Sequence, residues 1–596
     1  MPEITFLPAN ITVESSSGAS LLEAARSAGV YIETPCGGKG TCQKCNVKII
    51  TDPEQTIKNA LICQTKVPNH PITVELPKAA DVKVQFELFE DPSRYLSGSK
   101  EHAAITSGTM FLKKINLTVS PPALLDGLSD SDRFIKALKN KIKCETAQIP
   151  LNILSALPEK LRENEGEIQI FYYEENSIVK IVSISVNSSL PSYGIAIDIG
   201  TTTVALLLTD LENGKVLSSH NAYNSQIECG LDVISRINYA KKNLLELRTR
   251  IIKTINELLL TACGDIKIDP NQILCVSIAG NTTMIHLFLG IAPEYIRLSP
   301  YTPAVFKPQI YNAGDVNILI CENAPILIAP AVGSYVGGDI TAGILCTSLA
   351  LNPRSSSNEL ILFIDIGTNG EIVLGNNDFI LACACSAGPA FEGGGIKHGM
   401  RASEGAIERV SIDENGNPQI SVINGVTPTG ICGSGIISAA AELFRKGIID
   451  SAGKFSQKNG EYKLSENILI NETDIDNFIR AKGAIFSACQ TMLDNVGFSF
   501  NDIERVYVAG GFGRYLDLED ARTVGLLPRL PNEKFTFLGN SSAIGAYLAM
   551  VSEERRSMLF NLAEKITYMD LSSELKYMDH YTGALFLPHT DKKLFD

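Results

Sequence analysis

Four cysteines near the start of the chain, Cys36, Cys42, Cys45 and Cys63, are spaced C-x5-C-x2-C-x17-C. Two metals could use them. Zinc takes four thiolates in a tetrahedron, commonly as two paired C-x2-C knuckles, and only the Cys42–Cys45 pair is present here. A 2Fe–2S cluster needs two thiolates on each iron, and a loop spaced C-x4-C-x2-C with a distant fourth cysteine supplies them. The loop CGGKGTCQKC is one residue longer than that. Gly37, Gly38 and Gly40 suit a tight wrap that points backbone N–H groups at sulfur, because glycine tolerates the backbone angles required. The pattern favours a 2Fe–2S cluster; a zinc site and unliganded thiols are the alternatives.

A second chemistry is written twice. In YGIAIDIGTTTVALLL an apolar run from Tyr193 ends at Asp198, and in ELILFIDIGTNGEIVLG a run from Glu359 ends at Asp365. In both, Asp-Ile-Gly-Thr is followed by a second apolar strand, an Asn-containing turn and a third β-like run, which is the sign of an internal duplication. Such a turn exposes N–H groups and hydroxyls to phosphate oxygens, and the carboxylate at the strand end can hold Mg²⁺ through water. The candidate phosphate ligands are Thr201, Thr202 and Thr203 on one copy and Gly367, Thr368 and Asn369 on the other, with Asp198 and Asp365 as the catalytic pair. Two hairpins facing each other would clamp a nucleoside triphosphate. A third signal, RVYVAGGFGRYL, is a buried strand running into Gly510, Gly511 and Gly513, followed by FLGNSSAIGAYLAM, a loop opening a small-residue helix. Paired glycines let the chain approach a flat ligand such as adenosine, although close strand–helix packing also uses them. A similar loop, TGICGSGIISAAAEL, offers Gly433 and Ser434.

The elements that must position these residues follow from periodicity. ITFLPANITVES predicts two strands about a turn. SLLEAARSAGV has helical spacing, with Ser20 as N-cap and Gly29 as stop, and NVKII and ITVEL are β-like. Residues 86–112 mix charge, Ser, Gly and Pro without periodicity and predict a linker. Residues 113–190 alternate β-like runs (KINLTV, EIQIFYY, SIVKIVSISV) with helical ones (SDRFIKALKNKI, LNILSALPEKLREN), enough for a small α+β domain with no visible chemistry. The expected organisation is α/β and multidomain: a β-grasp ferredoxin-like domain (1–85), the linker (86–112), a middle domain (113–190) and two lobes (191–358 and 359–596).

Bulk composition narrows the classes. The chain has 596 residues, 45% apolar and 20% charged, with a net charge of −14. That acidity argues against nucleic-acid binding and against a polybasic membrane surface. No basic segment followed by an apolar one opens the chain, so no secretion signal is expected. The longest apolar stretch, Pro325–Cys346, contains Asp339 and four glycines and is expected to be buried core and loop rather than a membrane span. The remaining cysteines, including the C-x-C of Cys383 and Cys385, are expected to be small buried hydrophobes.

Residues 3–85 resemble the 2Fe–2S ferredoxins. The two Asp-Ile-Gly-Thr hairpins with Ala-Gly-Gly resemble the actin, sugar-kinase and heat-shock-chaperone ATPase superfamily, in which two lobes close on a nucleotide. Both parts together, with GLDVISRI (Gly230–Ile237), IAGNTTMIHLFLG (Ile278–Gly290), APAVGSYVGGDITAGIL (Ala329–Leu345) and SAGPAFEGGGIKHGMRA (Ser386–Ala402), resemble the ferredoxin-type reductive activators of corrinoid proteins. The resemblance implies that Cys36, Cys42, Cys45 and Cys63 ligate a 2Fe–2S cluster. It also implies that ATP and Mg²⁺ occupy the cleft, and that one electron passes to the cobalt(II) corrinoid of a methyltransferase protein from a low-potential donor upstream. A cytoplasmic homodimer is expected. A small-molecule kinase with a redox-sensing ferredoxin is the rival; it would need a base, for which Asp339, Glu371 and Glu392 are candidates. A third reading is a chaperone-like binding module with the cluster as sensor.

Overall fold

The computed structural model describes all residues except 8–9, 29, 31, 33–44, 52–55, 77–109, 125–126, 187–189, 352–357, 368, 458–459, 512–515 and 596. The expected turn at residues 8–9, the helix stop at Gly29, most of the cysteine loop and nearly all of the expected linker lie outside the described residues.

The N-terminal module is a five-stranded sheet of β1 (Glu3–Leu7), β2 (Ile11–Glu14), β3 (Asn46–Thr51), β4 (Thr56–Leu61) and β5 (Ile72–Glu75), ordered β2-β1-β5-β3-β4. Strands β1 and β5 run parallel, and all other pairs are antiparallel. This is the β-grasp arrangement. The helix Leu21–Ser27 begins at Ser20, whose Oγ accepts from Glu23 N at 3.4 Å, and its Leu21, Leu22, Ala24 and Ala25 close a core with Ile4, Phe6 and Val74.

Four strands follow: β6 (Lys113–Thr118), β7 (Thr146–Gln148), β8 (Glu167–Glu175) and β9 (Ile178–Ser185), ordered β6-β8-β9-β7. One face of this sheet carries the helices Asp130–Lys141 and Leu151–Glu163. Its other face, through Phe171, Tyr173 and Val182, joins the larger core of the chain together with Phe111.

The rest is built on two six-stranded sheets. The first contains β10 (Tyr193–Ile199), β11 (Thr203–Asp210), β12 (Val216–Tyr223), β13 (Ile273–Gly280), β14 (Tyr311–Asn312) and β15 (Pro325–Ile328), ordered β12-β11-β10-β13-β15-β14. The second contains β16 (Leu360–Ile366), β17 (Gly370–Gly375), β18 (Ile380–Cys385), β24 (Ile503–Ala509), β25 (Phe535–Gly539) and β26 (Ile566–Tyr568), ordered β25-β24-β16-β17-β18-β26. Between β18 and β24 stand two small sheets, β19 (Ala406–Ile412) with β20 (Pro418–Val422) and β21 (Gly430–Ile431), and β22 (Glu461–Lys463) with β23 (Leu469–Asn471). In each large sheet two antiparallel pairs are followed by parallel crossovers, so the duplication legible in the sequence is a duplication of topology.

Alternation along the strands decides what faces what. In β10, Ile195, Ile197 and Ile199 pack beneath the long helix Val233–Ile266, while Ala196 lies in the core between the lobes. Asp198 shares the face of Ala196 by the two-residue period of a strand. In β16, Leu362, Ile364 and Ile366 pack outward and Phe363 packs inward, so Asp365 points the same way as Phe363. The two aspartates therefore face the interlobe cleft. Two helices join the lobes. Gly338–Ile344 leaves the first lobe and Ser541–Val551 leaves the second, and they cross where a Cβ on Gly545 would collide with the Ala342 carbonyl. The second helix packs on the first lobe's sheet: Tyr547 Oη donates to Gly214 O at 2.6 Å. Cys383 and Cys385 are buried in β18, as expected of core residues. No helix among the described residues is long and apolar enough to cross a membrane.

Candidate functional site

At the first Asp-Ile-Gly-Thr hairpin, four residues, Gly200–Thr203, separate the paired Ile199 and Val204. The turn closes with Gly200 N donating to Thr203 O at 2.9 Å. Thr201 Oγ1 accepts from Asn281 Nδ2 at 3.0 Å, and Asn281 also caps the helix Thr282–Leu289. At the second hairpin only three residues, Gly367–Asn369, separate Ile366 from Gly370, and Gly367 N donates to Asn369 O at 2.9 Å. Thr368 lies outside the described residues. Gly510 follows β24 with φ +104°, and a Cβ there would collide with the Ile366 carbonyl and lie 3.2 Å from Asp365 Oδ1. Only glycine lets the chain pass this close to the aspartate. At Gly511 a Cβ would meet no atom of the described residues within 4 Å.

The hairpins differ in what stands opposite the aspartate. Asp198 pairs across the strands with Ala205, whereas Asp365 pairs with Glu371. Like charges directly opposed on a sheet destabilise it, and here two more carboxylates converge. Asp339, brought in at the start of the crossing helix, has its Oδ1 held by Ile340 N at 2.9 Å. Burial and the neighbouring Asp198 charge push the Asp339 carboxyl up to about 7. Burial, then Asp339 and Asp198, push Asp365 to about 7 as well. Glu371 is raised by burial, Asp339 and Asp365 against a hydrogen bond from Asn369. Asp198 is raised by burial but opposed by donors from the other crossing helix, Ser542 Oγ at 2.8 Å and Asn540 Nδ2 at 2.9 Å. Such a group of acids keeps its protons or binds a cation. Among the described residues no three acids or other ligands are arranged to hold a metal ion directly; carboxylates can also hold Mg²⁺ through water.

Across the cleft the lobes touch through the segment 386–402. Thr202 Oγ1 donates to Glu392 Oε2 at 3.3 Å, Arg401 Nη2 lies 3.9 Å from Glu392 Oε2, and the Arg401 guanidinium sits 5.0 Å from the centre of the Tyr223 ring. Gly433 and Ser434 begin the helix Gly433–Arg445 underneath. A Cβ on Gly433 would collide with the Phe391 carbonyl, and Ser434 Oγ is 3.3 Å from Cys432 Sγ. Gly433 thus packs against the segment that carries Glu392; no described contact joins Gly433 or Ser434 to the carboxylates.

In the N-terminal module, β3 and β4 pair Asn46 with Leu61, and Ile62 N donates to Cys45 O at 3.0 Å. That register sets Cys45, just before β3, beside Cys63, just after β4, with their Sγ atoms 3.1 Å apart. Two thiols converging in this way fit two ligands of one iron. Cys36 and Cys42 lie outside the described residues.

Sequence reasoning named Asp339 and Glu371 only as possible bases and missed Asn540 and Ser542 as partners of Asp198. The Asn-Ser-Ser that opens the last crossing helix was the available signal, since Asn and Ser there cap the helix and also aim donors outward.

Comparison with known proteins covers most of the chain. Residues 4–68 match a 2Fe-2S iron-sulfur cluster binding domain. Residues 109–187 match the RACo linker region, 193–352 the RACo middle region, and 359–596 the C-terminal domain of RACo, the ASKHA domain. The corrinoid activation enzyme RamQ of Eubacterium limosum is 30% identical over 601 residues, covering 96% of each chain. The [Co(II) methylated amine-specific corrinoid protein] reductase of Methanosarcina barkeri is 30% identical over 410 residues, 63% of this chain and 73% of that one. The solved structure of a reductive activator for corrinoid, iron-sulfur protein superposes with a TM-score of 0.74 at 39% identity, covering all of both chains.

Proposed function

The chain belongs to the ferredoxin-type reductive activators of corrinoid proteins, and from that premise we propose that it uses ATP to pass one electron to a corrinoid protein's cobalt(II), restoring the cobalt(I) that accepts a methyl group. The cobalt is the substrate and belongs to the partner. Cys36, Cys42, Cys45 and Cys63 would hold a 2Fe–2S cluster, which supplies one-electron chemistry when bound. Thr201, Thr202, Thr203, Gly367, Thr368 and Asn369 would hold phosphates, and Gly510 and Gly511 would border the adenosine. Asp198 and Asp365 would position hydrated Mg²⁺, with Asp339 and Glu371 adding charge.

The observation that carries this reading is the convergence of four carboxylates, contributed by both lobes and by a crossing helix, between two phosphate hairpins of a chain that also bears a ferredoxin module. Closing the lobes on a polyanion with its cation relieves the repulsion among Asp198, Asp339, Asp365 and Glu371, so nucleotide favours one lobe arrangement over another. A ligand shifts a conformational equilibrium only by such a difference in affinity. The shift is needed because plant-type 2Fe–2S centres sit near about −400 mV. A cobalt couple lying about 120 mV lower makes the step unfavourable by roughly 100-fold, about 2.8 kcal/mol. The resulting reading is that Glu392, Arg401 and the segment around them carry lobe closure toward the partner.

We also propose a cytoplasmic homodimer. Leu124, Leu128, Leu151 and Leu154 of the middle module are all exposed, Leu124 fully and Leu151 by 81%; a second copy would cover them. The test of function is anaerobic: protein, low-potential reductant, ATP and a panel of cobalt(II) corrinoid proteins, followed by cobalt(I) absorbance. The expected result is cobalt(I) formation that requires ATP. Phosphate transfer to a small metabolite with no corrinoid protein present would support the kinase reading instead.

A further inference from the structure

The first phosphate turn is held from behind by two buried side chains. Asn224, which follows β12 and is fully buried, donates through its backbone N to Thr202 O at 2.9 Å and through Nδ2 to Gly200 O at 2.9 Å. Arg236, fully buried at the start of the helix Val233–Ile266, donates through Nη2 to Thr201 O. The carbonyls of three successive residues, Gly200, Thr201 and Thr202, are thus all engaged from the protein interior. A trans peptide unit is planar, with C=O and the following N–H pointing in opposite directions. Drawing those three carbonyls inward therefore turns the N–H groups of Thr201, Thr202 and Thr203 the other way, toward the cleft.

The two pins are themselves fixed. Asn224 Oδ1 accepts from Gln226 N at 3.0 Å. Arg236 donates through Nε to Gly230 O at 2.8 Å and through Nη1 to Gln226 Oε1 at 3.2 Å. Gln226, also fully buried, donates to Leu247 O at 2.8 Å. Gly230 is required for the approach, because a Cβ there would lie 2.5 Å from Ser235 Oγ and 2.9 Å from Arg236 N. This accounts for part of the GLDVISRI stretch, for which the sequence offered no role.

We propose that Asn224 and Arg236 are positioning residues for nucleotide: they hold the first turn with its amides toward phosphate, and the buried guanidinium adds positive charge directly behind it. The inference rests on the reading of the cleft as a nucleotide site. Burying a guanidinium is costly unless it is well hydrogen-bonded, and here its donors hold a turn in a shape suited to an anion. Preorganised amides of this kind bind an anion without first reorienting.

The test compares the full-length wild-type chain with Asn224→Ala, Arg236→Gln and Arg236→Lys, and with Arg522→Gln as a control at a buried arginine outside this turn. The dissociation constant for Mg-ATP is measured by calorimetry well below each thermal midpoint, KM and kcat for ATP hydrolysis are separated, and far-UV circular dichroism with a cooperative thermal transition reports an intact fold. The expected result is at least a tenfold weaker affinity for Asn224→Ala and Arg236→Gln with an unchanged circular dichroism spectrum, and partial recovery in Arg236→Lys, which keeps the charge and one donor. Arg522→Gln should lose thermal stability but keep its ATP affinity. Should Arg236→Gln fail to fold, Asn224→Ala and Arg236→Lys decide the matter. Folded variants that lose stability yet bind Mg-ATP as wild type does would overturn the inference alone. A wild-type chain that binds no nucleotide would overturn the reading of the cleft and the inference with it.

Discussion

At the scale of single residues, the chemistry rests on acids kept where acids repel. Asp339 and Asp365 have carboxyls raised from an ordinary 3.8 to about 7. The metal-free fold therefore holds protons, between about pH 4 and about pH 7, that the unfolded chain has released. The folded state binding more protons means that stability falls as pH rises through that window and levels off above about 7. Mg²⁺ with nucleotide must displace those protons. The thermal shift produced by Mg-ATP should accordingly be larger at pH 8 than at pH 6, read by differential scanning fluorimetry; equal shifts would mean that these carboxyls are not the ones facing the cation. Gly510 is a second case. Its φ of +104° and its approach to Ile366 O exclude a side chain. Gly510→Ala should lower stability by roughly 1–3 kcal/mol from backbone strain and weaken ATP binding, checked by denaturant unfolding and calorimetry. Asp198 and Asp365 were legible in the sequence because their turn is repeated. Asp339 and Glu371 were not legible as site members: Glu371 joins Asp365 only through hairpin register, and Asp339 arrives on a helix far away in the chain. The pinning role of Asn224 and Arg236 was invisible for the same reason, since hydrogen bonds to carbonyls leave no periodic trace.

At the scale of elements, the two crossing helices set the cleft. One carries Asp339 and the other follows Asn540 and carries Ser542, the donors to Asp198. They touch through small residues at Gly545, Ala342 and Gly343. Gly545→Val should force them apart, lowering the thermal midpoint and the affinity for ATP while leaving the ferredoxin absorbance intact; unchanged ATP binding would mean that the crossing does not set the cleft. Long periodic elements were legible. The hairpin, helix and strands of the N-terminal module, the three long strands and two helices of the middle module and the strands ending in aspartate all stand where alternation and caps put them. Short or polar strands were not. β4 reads TIKNAL with little alternation, β7 is three residues long, and β26 joins the second sheet beside β18 from far along the chain. Pairing partners, rather than local propensity, make these segments strands. The helix Ser541–Val551 was legible as a helix, but its packing on the opposite lobe is a tertiary fact with no local signature.

At the scale of the whole molecule, a ferredoxin module and a two-lobed ASKHA module are joined in one chain, each with its own core. The exposed leucines of the middle module lead us to expect a dimer at micromolar concentration by light scattering, and Leu151→Lys with Leu154→Lys should give monomers; wild-type monomers that still reduce their partner would make the dimer irrelevant. Independent cores also mean that the two activities can be removed separately. Cys42→Ser should damage the cluster and stop electron delivery while ATP still binds. The most direct measurement is cobalt(I) formation by Asp365→Asn, a change that keeps size and hydrogen bonding but removes one charge facing the cation. The account predicts normal cluster content and normal reduction of the cluster by dithionite. With ATP present, it predicts corrinoid reduction slowed at least about tenfold, on the order of 1.4 kcal/mol. Corrinoid reduction at the wild-type rate by this variant would contradict the claim that the carboxylate-lined cleft drives the electron transfer.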